Sequence, residues 1–314
     1  MQPQTIRTDH TGKGIVIILA SVLTMAFADA IVKLVSSDLS VWQVFFARSL
    51  FAVPLIFGLV QVTGRTLILQ NPGWAFIRSL LLVMSWIAFY VSLPVLSLSV
   101  AAVAIYTNPI ITVLLSATVI GVQVSKRQWF GVVVGFLGVI VILKPGTDAF
   151  SWFVLLPLSG AVFYSLANVL TRSKCQGEAS LVLTLMLHIA FLVTGLVGVA
   201  VLALLQLNPE TQAVYPFLLG DWSAMTAATW GLVALLGVLS AGYLLGIARA
   251  YQIAPPQIVA TFDYGYLVSA TLWGFVFFAE IPDVWTISGM VLITMAGLLV
   301  AVPASRRQIR NPVP

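Results

Sequence analysis

Charge is what this sequence has least of. Only 8% of its 314 residues are Asp, Glu, Lys or Arg, against about 25% in an ordinary soluble domain. So little charge cannot cover a water-facing surface, which excludes a soluble globular body. Cysteine is nearly missing as well: Cys175 stands alone, so no intrachain disulfide can staple the fold. Histidine occurs only as His10 and His188, and no cluster of His with acids has the spacing of a metal site. The phosphate-cradling GxxxxGK and the GxSxG nucleophile elbow are also absent. No enzyme is expected, and neither a metal nor a cofactor is called for.

What is present is apolar: 60% of the chain is hydrophobic, in runs long enough to span a hydrocarbon core of about 30 Å. Runs bounded by Gly, Pro, Asn or charge number ten. They are Gly14 to Val35, Val41 to Val62, Gly73 to Val95, Leu98 to Gly121, Arg127 to Leu143, Phe150 to Thr171, Ser180 to Leu205, Met225 to Ala250, Pro256 to Ala279 and Trp285 to Val302. Lipid offers a backbone amide no water, so such runs must be helices. The lipid bilayer is therefore the first partner. The net charge of +5 lies in short gaps between apolar runs, not on one face, which argues against nucleic acid. Lys13, Ile15 to Ala26 and the pattern Ala26-Phe27-Ala28 have the form of a signal peptide. A similar pattern recurs in mid-chain, where nothing is cleaved, and this favours a membrane span.

Basic residues set the orientation. With the N-terminus inside, the inner gaps hold Arg7, Lys13, Arg65, Lys126, Arg127, Arg172, Lys174, Arg306, Arg307 and Arg310, with Arg78 and Arg249 at inner helix ends. The outside keeps Lys33 and Lys144 and collects Asp38, Asp148, Glu210, Asp221 and Asp283. Both termini are then cytoplasmic, in a bacterial inner membrane.

The chain also resembles itself. Residues Ala26 to Lys33 are similar to Ser165 to Arg172, and Ser97 to Gly131 aligns without a gap with Pro255 to Gly289. Two halves follow, 1–147 and 148–314, each with five helices. Five is odd, so the halves enter the membrane from opposite sides. The expected fold is an all-α membrane protein with ten transmembrane helices as two inverted five-helix repeats. Gln123 to Lys126 and Ile281 to Asp283 then belong on opposite faces. An inverted pair of bundles can rock about a midplane site and expose it to either side in turn. Gly131, Gly135 and Gly138, and likewise Gly242 and Gly246, have the spacing that lets helix backbones approach closely.

Ten short helices in two halves, Arg48 early in the second span, Pro109, Gly131 and Gly138 in the first half, and Glu280, Gly289 and Gly297 in the second together resemble the drug/metabolite transporter superfamily. Within it the chain is most similar to EamA-type exporters, and among those to the YddG-type exporters of aromatic amino acids. The chain departs from the family pattern at Val122 and Gln123, where glutamate is frequent, and at Leu267, where proline is expected. The resemblance implies a carrier of a small organic solute, with protons as a candidate coupling ion and no need of a second subunit.

Ionisable groups inside lipid cost about 2.5 to 3.5 kcal/mol each on insertion scales, so each should face a cavity or a partner. Asp29 lies about 7 Å outward of its helix centre at 1.5 Å per residue, and Arg48 lies at a similar depth on the next helix. They can form a salt bridge that locks two helices, or act in gating. Asn168 and His188 hold the corresponding places in the second half, where His188 is either a packed helix residue or a proton carrier. Asp263, between Phe262 and Tyr264, is the acid well inside a span of the second half, with Arg249 as a structural partner or a solute ammonium as a functional one.

Trp86 and Tyr90 share a helix face, whereas Tyr106 and Asn108, two residues apart on one helix, should point apart. Trp86, Tyr90, Tyr106 and Tyr164 are candidates for cavity lining, while Trp42, Trp74, Trp129, Trp152, Trp222 and Trp285 suit an interfacial belt. Pro109 and Pro157 are kinks or hinges. The substrate-binding set is thus Trp86, Tyr90, Tyr106, Asn108, Tyr164, Phe262, Asp263 and Tyr264, with Asp29, Arg48, His188 and Asp263 for coupling or gating. The main function expected is alternating-access export of amino acids, aromatic or otherwise neutral. A passive channel or facilitator is the alternative, although it would want a continuous polar stripe.

Overall fold

The computed structural model describes residues 10–64, 67–115, 117–118, 126–143 and 151–301. Arg7, Arg65, Val122, residues 123–125, Lys144, Asp148, Arg306, Arg307, Arg310 and the boundary at 147 lie outside the described residues. Among the described residues every regular element is helical. In chain order these are α1 (Thr11–Val35), α2 (Val41–Val62), α3 (Pro72–Ser92), α4 (Leu98–Ile105), α5 (Asn108–Leu115), α6 (Lys126–Leu143), α7 (Leu155–Ser173) and α8 (Ser180–Leu205). Two short helices, α9 (Pro209–Val214) and α10 (Pro216–Leu219), precede α11 (Ala227–Ile253), α12 (Pro256–Phe262), α13 (Gly265–Phe278) and α14 (Val284–Ala301).

Local chemistry starts these helices where the apolar runs begin. Ser40, Ser97, Asn208 and Thr226 each accept a backbone N–H from the first turn that follows, satisfying donors that lipid would leave bare. Two starts are capped from far away in the sequence. Glu178 accepts Gln70 N at 3.1 Å and Asn71 N at 2.7 Å at the head of α3, and Glu280 accepts Leu98 N at 2.9 Å at the head of α4.

Within the described residues each of the ten apolar runs falls on helix, but by length and hydropathy seven segments can cross a membrane. These are α1, α2, α3, the α4–α5 pair, α7 with its 3-10 turn from Trp152, α8 and α11. Trp129–Ile142 and Val284–Ala296 are shorter apolar stretches. The run from Pro256 to Ala279 is interrupted, so neither of its pieces is long enough. Among the described residues the count thus gives seven candidate spans and a set of shorter apolar helices, which does not by itself confirm ten.

Two runs break, and at matching places. Between α4 and α5 the break falls on Tyr106 and Thr107; between α12 and α13 it falls on Asp263 and Tyr264. At the first break Pro109 lacks the N–H that would bond the carbonyl of Ile105. At the second, Leu267 stands where a proline was expected, yet the helix still breaks and Gly265 opens α13. The turn is held by Tyr266 N to Asp263 O, 2.9 Å, and Leu267 N to Tyr264 O, 3.0 Å.

The packing joins the first half of the chain to the second: α1 lies on α11 and α13, α2 on α8, α3 on α7, and α6 on α14. The α6–α14 contact needs glycine. A Cβ on Gly289 would come within 2.6 Å of Gly138 O, and one on Gly138 within 2.9 Å of Gly289 O. The second small-residue pair is used by half, because Gly246 packs on Ser21 of α1 whereas Gly242 has open space beside it.

Polarity is inside out relative to a soluble protein. Asp29, Arg48, Gln43, Asn108, Asn168, His188 and Asp263 are buried, while Leu23, Phe57, Phe76, Phe136, Leu196, Val238, Leu272 and Phe275 are exposed. An apolar exterior around a polar interior is what a lipid solvent demands. Trp74, Trp129, Trp152, Trp222 and Trp285 are exposed near helix ends, and Trp42 donates its indole N–H to Leu218 O at 2.9 Å.

Candidate functional site

The breaks in α4–α5 and α12–α13 meet the bundle formed by α1, α3 and α7 around a small, mostly apolar and aromatic cavity. Asp29, Trp86, Tyr106, Asn108, Tyr164 and Tyr266 line it, with Met25, Ser85, Phe89 and Ile105. Its volume of about 20 Å³ admits one water-sized molecule and nothing larger.

Tyr106 and Asn108 both face the cavity, against the expectation that two residues apart on one helix must diverge. The physical reason is the break: α4 ends at Ile105 and α5 starts at Asn108, so helical periodicity does not run through Thr107. Ser165 Oγ donates to Asn108 O at 2.9 Å, filling an acceptor that the broken helix leaves open. Across the cavity Tyr106 stacks on Tyr266, ring centroids 4.6 Å apart and planes 15° from parallel.

Asp29 is 1% exposed and accepts two phenolic hydroxyls, from Tyr90 to Oδ1 at 3.1 Å and from Tyr266 to Oδ2 at 2.8 Å. Arg48 does not reach it directly. Instead Arg48 Nη1 donates to Tyr90 Oη at 3.0 Å, and Tyr90 passes the polarity on to the carboxylate. The expected Asp29–Arg48 salt bridge is thus corrected to a three-residue relay, because the ring of Tyr90 on α3 occupies the space between α1 and α2. Around Arg48 stand Phe191, Phe45, Tyr90 and Trp86, with ring centroids 4.5, 5.0, 5.5 and 5.9 Å from its Cζ.

Asp263 is fully buried and accepts Tyr251 Oη on Oδ2 at 2.8 Å. Arg249 is exposed and is not its partner. The register explains this: Tyr251, two residues on, lies on the opposite side of α11 and faces the core. Asp263 does not line the cavity itself; it lies one layer behind, within electrostatic reach of Tyr106 and Tyr164. Phe262 and Tyr264 pack in the surrounding core and do not line the cavity either.

His188 is also moved from its expected place. It does not form a second polar pair with Asn168 but stands beside Phe191, 6.1 Å between ring centroids, and within electrostatic reach of Arg48. The close packing of α8 on α2 causes this. Asn168 lies near Tyr164 and Tyr251 instead.

Sequence reasoning missed Tyr266, Tyr243 and Tyr251. A tyrosine in an apolar run raises no flag by hydropathy, although Tyr266 stands opposite Asn108 when the repeats are aligned. It also left unpaired Lys33 and Glu280, which form an ion pair of 2.5 Å at the far end of α1. Lys33 Nζ donates in addition to Leu96 O at 2.9 Å. Beside this pair lies a wider cavity of about 490 Å³, lined by Leu96, Ser99, Ile142, Glu280, Asp283 and Thr286 among others. Among the described residues no group of three or more His, Cys, Asp or Glu could hold a metal ion.

Comparison with known proteins agrees with this architecture. A crystal structure superimposes with a TM-score of 0.65 over 92% of this chain and 98% of the other at 15% identity, which concerns the fold alone. The chain is 26% identical to the pseudopaline exporter of Pseudomonas aeruginosa, covering 92% of this chain and 95% of that protein. It is 24% identical to an S-adenosylmethionine uptake transporter of Rickettsia prowazekii over 91% of this chain and 92% of the relative. A riboflavin transporter of Rhizobium johnstonii is 27% identical over 88% and 84%. These relatives are not aromatic amino-acid exporters, and one is named for uptake, so the narrower YddG-type resemblance gives way to a broader one. The chain is a multi-pass membrane protein, all-helical among its described residues, and its residues 12–144 match the EamA-like transporter family.

Proposed function

We propose that this protein is an alternating-access transporter that exports amino acids or similar small organic solutes across a bacterial inner membrane. The observation that carries the reading is the pair of matched helix breaks, at Tyr106–Thr107 and Asp263–Tyr264, beside one aromatic cavity edged by Asp29 and Asn108. Discontinuous helices at a repeat interface are where secondary transporters bind solute, because irregular backbone is tolerated inside lipid only where it lines a cavity. In this reading the halves 1–147 and 148–314 are inverted five-helix repeats of ten spans, and both termini are cytoplasmic.

Trp86, Tyr106, Asn108 and Tyr164 form the binding wall, with Tyr90 behind it between Asp29 and Arg48, and Asp263, Phe262 and Tyr264 behind it on the second broken helix. Asp29 and Asp263 are the candidates for proton coupling, with Arg48 and His188 beside them. A cavity of about 20 Å³ is too small for an amino acid, so in this reading the site widens as the halves separate. Relatives that carry pseudopaline, S-adenosylmethionine and riboflavin support a small organic solute, and the exporter among them supports outward flux.

The test is uptake of labelled amino acids and organic cations by proteoliposomes, with and without an imposed pH gradient. A carrier shows accelerated exchange when unlabelled solute is present inside; a passive pore shows no such acceleration and overturns the alternating-access reading.

A further inference from the structure

Buried polar groups in a folded protein nearly always find partners, so those that do not report on what the site is built to receive. Here unpartnered groups gather in two places. Around Arg48 its Nε and Nη2, the indole N–H of Trp86, the hydroxyl of Tyr243 and both ring nitrogens of His188 lack a hydrogen-bond partner, and all but one His188 nitrogen can donate. On the two broken helices they include the acceptors Asn108 Oδ1 and Asp263 Oδ1, beside the hydroxyls of Ser99, Tyr106 and Thr112.

The donor cluster is compact. Trp86 lies 5.9 Å from Arg48 Cζ and 6.0 Å from the Tyr243 ring, centroid to centroid, and Tyr243 is within electrostatic reach of the guanidinium. Arg48 is 1% exposed and spends one nitrogen on the Tyr90 hydroxyl. Its other donors stand among aromatic rings and the Tyr243 hydroxyl, and ring faces attract a cation without accepting its hydrogen bonds in full. A guanidinium presents a planar fork matched to the two oxygens of a carboxylate.

We infer that Arg48, helped by Tyr243 and Trp86, is a receptor for the carboxylate of the transported solute. The inference rests on the transport reading and narrows it: the solute carries an acid at one end, held by α2, and a hydrogen-bond donor at the other, held by the broken helices. Trp86 also lines the small cavity, so the receptor and the cavity share a wall. Asp29, whose two oxygens are already engaged by Tyr90 and Tyr266, is not the group that meets the solute in this conformation.

The experiment compares two probes of the same shape, 3-phenylpropionate and 3-phenylpropionamide, which differ in the acid alone. Binding of each to the purified full chain in lipid nanodiscs is measured by calorimetry for the wild type, Arg48→Met and Tyr243→Phe. The wild type should bind the acid about tenfold or more tightly than the amide, the scale of a charge-assisted hydrogen bond. That preference should vanish in Arg48→Met and shrink in Tyr243→Phe, which keeps its ring and removes one hydroxyl, so it decides the matter if Arg48→Met fails to fold. A wild type that treats the two probes alike, by binding both or neither, overturns the inference, as does a preference that survives both substitutions. Exchange of labelled L-phenylalanine in proteoliposomes separates the two readings. Preference without exchange refutes transport and leaves the receptor standing, whereas exchange without preference does the reverse.

Discussion

Tyr106 and Tyr266 stack face to face, 4.6 Å between centroids, and so tie the first broken helix pair to the second. The stack unites the two halves of the chain at the point where each half loses helical continuity. Any separation of the halves must part these rings.

Breaking the stack should therefore affect both stability and motion. Tyr106→Ala removes a buried ring and should cost about 3 to 5 kcal/mol, the usual range for buried aromatic truncation. Tyr106→Phe should keep the stack and change stability little, since the Tyr106 hydroxyl has no partner. Thermal unfolding of the two variants in the same detergent checks the contrast.

Asp29→Asn should fold yet lose solute flux. The amide can still accept one tyrosine hydroxyl, but the charge facing Arg48 through Tyr90 is gone, at a stability cost of about 1 to 3 kcal/mol. Normal exchange by reconstituted Asp29→Asn protein would remove Asp29 from the transport cycle.

Asp263→Asn should abolish or uncouple flux while the protein still folds, because Tyr251 can donate to an amide oxygen as it does to the carboxylate. Flux in proteoliposomes with and without a pH gradient reads both effects. Unchanged transport would leave Asp263 with a packing role only.

The Lys33–Glu280 pair is largely withdrawn from solvent, 13% and 18% exposed, and it clamps α1, the head of α4 and the end of α13 together. Glu280→Gln keeps an acceptor for Leu98 N–H but loses the ion pair. A cysteine placed at Ser99, which lines the neighbouring cavity, should then react several-fold faster with a membrane-impermeant maleimide added from outside. Faster labelling from the inside instead would reverse the assigned orientation.

Glycine at the α6–α14 contact is a matter of distance. Gly289→Ala places a methyl 2.6 Å from Gly138 O and should destabilise by about 1 to 3 kcal/mol, as overpacking does. Gly242→Ala, beside open space, should be neutral or stabilise by up to about 1 kcal/mol through helix propensity. Unfolding midpoints of the two single variants test the pair, and equal shifts would contradict the packing described.

Much of the architecture was readable along the chain. Scarce charge required lipid around the protein, and apolar runs separated by capping and turn residues located the long helices to within a few residues, while the short α9 and α10 fell in a gap between runs. Pro109 marked the first break, whereas at its repeat counterpart Leu267 no proline signalled the second, which falls there all the same. Asp29, Arg48, His188 and Asp263 were singled out by the cost of charge in hydrocarbon, and all are buried.

Which of those groups meet was decided by tertiary structure alone. Hydropathy and rise per residue place a side chain in depth, but leave open the rotation of its helix and the identity of its neighbours. Depth put Asp29 opposite Arg48; packing set the ring of Tyr90 between them. Register gave Asp263 to Tyr251 and left Arg249 exposed, and the contact of α8 with α2 brought His188 to Arg48. The break at Thr107 turned Tyr106 and Asn108 toward one cavity, because a helix interrupted by two residues no longer obeys its own period.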